Sequence, residues 1–294
     1  YLDYLRSTGL AEYSATRGNV GSTALRQLRH GRAEFFLISF WSSMNAIGRF
    51  AGAERDRAVF YSEDDRLLVL DKPAGLAVHG GSGVALGCIE ALRALRPGAS
   101  LELVHRLDRA TSGCLLVAKR RSALRTLHAL LREGAVEKRY LGLARGHWAG
   151  GPRSADVALS KFHRGPMHAV RAAADGKPAL TEFRPIEGYG RLAALLEIHI
   201  LTGRTHQIRV HAAHLGHPLA GDDRYGDPAF NAVMAELGLK RLFLHAQALE
   251  FVWPESGQVF TAHAPLPADL AACLERLGGL GSRERQRLEA RLTQ

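Results

Sequence analysis

Residues 104–119 read Val104-His105-Arg106-Leu107-Asp108-Arg109-Ala110-Thr111-Ser112-Gly113-Cys114-Leu115-Leu116-Val117-Ala118-Lys119. One carboxylate, Asp108, stands between two guanidinium groups, Arg106 and Arg109. A nearby positive charge favours the ionised acid, so Asp108 is expected to be a carboxylate at neutral pH. An ionised, positioned carboxylate can act as a nucleophile or a base. The arginines also suit a polyanionic substrate, because a guanidinium offers paired donors to phosphate. A structural aspartate–arginine pair at a strand end would look the same in isolation. Here the pattern runs on through a Thr-Ser-Gly turn and an apolar strand into a basic pair, which favours chemistry.

Composition narrows the partner. The chain has 294 residues, a formal net charge of +10 and a pI near 9.9, which points to an anionic partner, nucleic acid first. Between His105 and Arg145 ten Lys/Arg face three acids, whereas residues 1–59 carry eight against five. The positive surplus is therefore concentrated around Asp108. Cys88, Cys114 and Cys273 are scattered and form no CxxC pair, so neither a disulfide framework nor a thiolate zinc site is expected. That usage fits a reducing cytoplasm. The longest apolar run, Phe35 to Trp41, is far short of the roughly 20 residues that span a bilayer, and no signal peptide is visible. The sequence begins with Tyr1 rather than Met, so the natural start is expected to differ.

The elements that must position Asp108 read as a mixture. Leu67 to Leu70, Leu101 to Leu107, Cys114 to Ala118, Tyr140 to Ala144, Ala169 to Ala173, Leu180 to Phe183, Leu192 to Ile200 and Val259 to Ala262 are predicted strands. Ile89 to Leu95 is a predicted helix stopped by Pro97-Gly98, and Ser122 can cap another that ends at Gly134. Too few helices alternate with strands for a doubly wound sheet. An α+β fold is expected, a mostly antiparallel mixed sheet flanked by helices. The tail from Ser282 to Gln294 reads as a frayed, exposed helix with Leu288 and Leu292 at helical spacing.

His105-Arg106-Leu107-Asp108 followed by Thr111-Ser112-Gly113 resembles the catalytic motif of the RluA-type pseudouridine synthases. Four further segments resemble that family in the same order. They are Tyr61 to Gly75 with Lys72-Pro73-Ala74-Gly75, then Lys138-Arg139-Tyr140, then Leu201 to His211, and last Leu242-Phe243-Leu244-His245-Ala246. The resemblance covers about residues 60–278, leaving 279–294 as a basic and acidic tail. Residues 1–59 stay unclassified: a divergent or truncated S4-type RNA-binding segment, or a disordered one. Leu25 to Arg32 resembles the helix and turn of such a domain, but the strand and turn that should follow are missing.

The resemblance implies an isomerase that needs no cofactor or metal and acts as a monomer on 23S ribosomal RNA. Such a substrate is read through structure and splayed loops rather than through duplex sequence. It implies that Asp108 is essential, that Arg204 pairs with the aspartate, and that Tyr140 stacks on the target base. Arg106 would fill the gap left by the extruded base. Leu244 and His105 would line the pocket, while Arg109, Arg120, Arg121 and Lys138 would contact RNA.

Two other classes compete. A non-catalytic RNA-binding or ribosome-assembly protein could keep the fold, but Asp108, Tyr140 and Arg204 are all present. A metal-dependent hydrolase could use His206, His211, His214 and His217. Against it stand the lack of a His-Glu-x-x-His arrangement or partnering cysteine, and the helix-breaking Gly216-His217-Pro218 step. Hydrogen bonding and phosphate contact near Asp222 to Gly226 suit these histidines better.

Overall fold

The computed structural model describes residues 19–29, 32–41, 61–80, 87–164 and 167–292. Most of residues 1–59 lies outside them; within the Leu25–Arg32 segment, residues 25–29 belong to a strand and not to the expected helix. The chain forms two compact units, Tyr1–Ala129 and Leu130–Gln294. The division falls inside the 60–278 region that the motifs group together.

In Tyr1–Ala129, β1 (Asn19–Arg29) and β2 (Arg32–Trp41) pair as an antiparallel hairpin. A second sheet has the order β3 (Tyr61–Glu63), β4 (Leu67–Lys72), β6 (Ser112–Ala118), with β5 (Glu102–Leu103) along the other edge of β6. Every residue of β6 is buried, which is what its unbroken apolar run requires of a strand covered on both faces. Helix α1 (Cys88–Leu95) lies between β4 and β5 in the chain, and α2 (Arg121–Glu133) follows β6.

Two expectations need correction here. The strand predicted over Leu101–Leu107 is only Glu102–Leu103, because the next stretch of backbone leaves the ladder and folds into the Asp108 loop. Ser122 does not cap α2. The Arg120 carbonyl already accepts from the Leu124 N–H at 3.1 Å, so the helix starts at Arg121 and Ser122 sits in its first turn. The predicted stop at Gly134 is observed. Its φ of 72° lets the Ala135 N–H return to the Leu130 carbonyl at 2.8 Å, satisfying a terminal acceptor.

In Leu130–Gln294 the strands are β7 (Glu137–Arg145), β8 (Arg153–Asp156), β9 (Leu159–Arg164), β10 (Met167–Ala172), β11 (Leu180–Tyr189), β12 (Ala193–Ile200), β13 (Leu244–Val252) and β14 (Val259–His263). They form an antiparallel sheet of order β13-β7-β12-β11-β8, with β14 on the second half of β13, and a separate β9–β10 hairpin. The helices are α3 (Gln207–His214), α4 (Pro228–Glu236), α5 (Ala268–Gly278) and α6 (Ser282–Ala290). The protein is α+β. Phe230, Val233 and Met234 of α4, Leu270, Cys273 and Leu277 of α5, and Leu143 and Leu195 of the sheet form one buried cluster.

The C-terminal segment departs from its expectation. Leu288 is only 4 % exposed within that cluster, and Leu292 packs against it. The Glu289 carboxylate accepts from the Arg191 N–H at 2.7 Å. An apolar residue every fourth position was the correct signal; what the charged composition hid is that this stripe has a core to meet. Among the described residues no helix is long and apolar enough to cross a membrane.

Candidate active site

In Tyr1–Ala129 the Asp108 loop is tied to the turn after β4. Lys72 is fully buried, and its ammonium donates to the carbonyls of Pro73 at 2.8 Å, Leu76 at 2.9 Å and Arg109 at 3.3 Å. A buried charge is tolerated when its hydrogen-bonding capacity is met in this way. Arg109 completes the tie: its Nε donates to the Gly75 carbonyl at 2.7 Å, and the Gly75 N–H donates to the Arg109 carbonyl at 2.7 Å. Gly75 has φ 89°, where a side chain would be strained. The Thr111 N–H closes the turn on the Asp108 carbonyl at 3.1 Å.

Val104 and Leu107, each 4 % exposed, root the loop in the core. His105 Nε2 accepts from the Leu116 N–H at 3.1 Å, so its ring takes the place of a ladder partner for β6. Asp108 is left half-buried and Arg106 exposed, side by side on a loop held at both ends. Of the residues expected to meet RNA, Arg109 thus has part of its guanidinium committed to the loop. Arg120 pairs with Asp65 at 2.8 Å, an exposed contact of little energetic weight. Arg121 is exposed at the start of α2.

In Leu130–Gln294, Lys138, Tyr140 and Gly142 occupy alternate positions of β7 and so share a face. Across the ladder Tyr140 stands opposite Ala246 and Gly142 opposite Leu244. A Cβ at Gly142 would come within 2.7 Å of Ile198 Cδ1, so a larger residue there would displace the Ile198 side chain from this strand. The structure therefore gathers Lys138, Tyr140 and Leu244 on one sheet face, each less than a tenth exposed. Burial pushes the Lys138 ammonium down to about 8. A lysine expected on an RNA-facing surface is instead an almost covered neighbour of Tyr140.

Arg204 lies on the loop between β12 and α3, exposed, its Nε donating to the Pro178 carbonyl at 3.1 Å. Buried Gln207 organises that loop. Its Oε1 accepts from the Thr202 hydroxyl at 2.6 Å and the Arg204 N–H at 3.0 Å. Its Nε2 donates to the Leu180 carbonyl and to the Thr181 hydroxyl, both at 2.9 Å. His206, between them, adopts φ 54°, the only positive φ of a non-glycine among the described residues. Backbone held there costs on the order of 1 kcal/mol. Its ring meets the Tyr225 hydroxyl at 2.8 Å, which fixes the turn into α3.

A family model described as RNA pseudouridylate synthase matches residues 66–214. That span is half of the chain and contains Asp108, Tyr140 and Arg204. The chain belongs to the RNA pseudouridylate synthase family. This synthase is 52 % identical over 223 residues to the ribosomal large subunit pseudouridine synthase C of Escherichia coli K12, covering 74 % of this chain and 70 % of that one. It is 51 % identical over 226 residues to the protein of that name in Vibrio cholerae, covering 76 % and 70 %. The solved human RNA pseudouridylate synthase domain containing 1 superposes with a TM-score of 0.59 at 28 % identity, covering 76 % of this chain and 94 % of that one. Domain containing 4 does so at 0.60 and 25 %, covering 74 % and 92 %. The synthase is accordingly an isomerase.

Three histidines of the cluster, His206, His211 and His217, are taken up by structure. His211 is fully buried between the Thr181 hydroxyl at Nδ1 and the Val157 carbonyl at Nε2, both 2.9 Å away. Burial lowers its pKa, keeping the ring neutral, so it donates to Val157 and accepts from Thr181. His217 donates to the Arg145 carbonyl at 2.8 Å. Among the described residues no three His, Cys, Asp or Glu side chains are grouped to hold a metal. Nearby, Arg209 and Asp222 form a buried bidentate pair at 2.6 and 2.7 Å. Burial alone would raise the Asp222 carboxyl, but the Arg209 guanidinium outweighs it and holds the group below its usual value. Lys72, Gln207 and the Arg209–Asp222 pair are the positioning groups the sequence did not single out, although three of them sit inside the family motifs.

Proposed function

We propose that this synthase isomerises specific uridines of large-subunit (23S) ribosomal RNA to pseudouridine, with Asp108 as its essential catalytic residue. The observation that carries the reading is the Asp108 loop, a half-buried carboxylate held at both ends beside an exposed arginine. The names of the relatives supply the substrate. The reaction breaks the C1′–N1 bond of a uridine, turns the base and joins C1′ to C5. N1 gains a proton and C5 loses one, so no redox partner or cofactor enters the balance. Asp108 would act either by attacking C1′ or by taking the 2′ proton, and both routes need the ionised carboxylate. Tyr140 would stack on the base above Leu244, and Arg204 would contribute its guanidinium to the reaction. The base must first leave its stack, and Arg106 at the exposed head of the loop is the side chain to fill the gap. The reading places the enzyme in the cytoplasm as a monomer built around a 60–278 catalytic region.

Asp108→Asn keeps the shape of the side chain and removes its charge. It is expected to abolish tritium release from rRNA labelled at uridine C5 while RNA affinity stays near wild type. Near-normal turnover by that variant would end the assignment.

A further inference from the structure

The β9–β10 hairpin, α3 and the loop that follows Asp222 enclose a cavity of about 420 Å³ within Leu130–Gln294. It shares no residue with Asp108, Tyr140, Arg204 or Leu244. Its floor is apolar: Val170 and Val210, 5 and 6 % exposed, pack in one small cluster against Tyr225. The hairpin wall carries Phe162, with the Arg171 guanidinium 5.5 Å from its ring centroid. Arg171, Arg224 and His214 stand on the lining against one acid, Asp223, whose carboxylate already meets Arg209 at 3.3 Å.

The Tyr225 wall is rigid. Its hydroxyl accepts from the Val170 N–H at 2.9 Å and meets His206 Nδ1 at 2.8 Å. Its ring lies 5.1 Å from the guanidinium carbon of Arg209, which Asp222 clamps. Tyr225 therefore cannot swing in to fill the space. A cavity of this size lies in the range that small-molecule-sized groups occupy. Aromatic walls with a cationic rim are the usual recognition chemistry for an unstacked base and its phosphate.

We propose that this cavity receives a second nucleobase of the RNA, a nucleotide other than the uridine being isomerised, stacked on the Phe162 and Tyr225 walls with its phosphate on Arg171 and Arg224. The inference rests on the RNA-isomerase reading above. It gives that reading a second anchor point: the enzyme would select a loop in which two bases are splayed out at a fixed separation.

The test uses the full chain and a 23S rRNA transcript. Ala213→Trp fills the cavity from α3, while Phe162→Ala and Arg171→Ala remove one wall and one rim cation. Base-specific chemical probing should show two protected nucleotides or groups of nucleotides with the wild type. Ala213→Trp should lose the one that is not isomerised. Phe162→Ala should raise KM about tenfold, the scale of one lost base–aromatic stack, with the change falling on KM rather than kcat. If wild-type enzyme isomerises the transcript but all three variants keep its footprint and KM, the cavity is not a base site. If wild-type enzyme makes no pseudouridine on this RNA, the underlying reading fails instead. Should Ala213→Trp not fold, Phe162→Ala and the exposed Arg171→Ala decide the matter by the same readouts.

Discussion

Lys138 carries a positive charge into a strand position that is 7 % exposed. An apolar side chain of similar length would be easier to hold there, since burial penalises the ammonium and lowers it to about 8. The folded chain releases this proton near pH 8, while the unfolded chain keeps it to about 10.5. Stability should therefore rise with pH across that window. Lys138→Met is expected to gain stability at pH 7, by at most about 3 kcal/mol, and to flatten the alkaline rise. It is expected to lose pseudouridine formation, because Lys138 shares the Tyr140 face. Denaturant midpoints at pH 7 and pH 10 with a parallel activity assay check both; a variant less stable at pH 7 contradicts the burial argument. Residues of this kind mark how far the sequence could be read. Asp108, Tyr140 and Arg204 could be proposed from sequence because each sits in a linear motif of reactive types. Lys72 is in a motif too, but its role depends on carbonyls at positions 73, 76 and 109 converging, which no local spacing reveals. The histidines mislead for the opposite reason. Helical spacing brings His211 and His214 near each other in sequence, while the actual partners of His211 come from Val157 and Thr181.

At the level of elements, buried strands with continuous apolar runs, such as β4 and β6, could be recognised from composition alone. The extent of the short β5 could not, since beyond Leu103 the Leu116 N–H is met by the His105 ring rather than by a backbone carbonyl. The charged C-terminal segment shows a third case. Its Arg and Glu residues suggest solvent on every side, yet Leu288 closes the cluster formed by α4, α5 and the sheet. Leu288→Ala should leave a cavity costing about 2 to 5 kcal/mol. An exposed frayed helix would instead show a change within about 0.5 kcal/mol. Equilibrium unfolding of the full chain distinguishes the two, and α6 should remain protected from protease in wild type but not in the variant.

Across the whole molecule the governing quantity is charge. A net charge of +10 makes any RNA attractive at long range, so affinity and selectivity must come from different features. On the proposed reading, selectivity would come from the shaped sites, the Asp108 loop and the base cavity, and affinity from the exposed cations between His105 and Arg145. Within that stretch Arg120, Arg121 and Arg125 are exposed, the last two one helical turn apart on α2. Each phosphate neutralised contributes about 0.7 to the fall of log K with log salt on single-stranded RNA. Reversing these three charges to Glu should therefore flatten the salt slope by about 2 if all three meet phosphate. Arg120 gives up a pair with Asp65 in doing so, but that pair is exposed and contributes little. Reversing Arg49, Arg55 and Arg57 changes net charge by the same amount in the less basic 1–59 segment, which has a surplus of only three. If net charge alone draws the RNA, the two triple variants will lose affinity alike and their slopes will match. If α2 carries the phosphate contacts, only the first will flatten. Should the second flatten and the first stay steep, the electrostatic contact with RNA belongs to the segment ahead of the catalytic region.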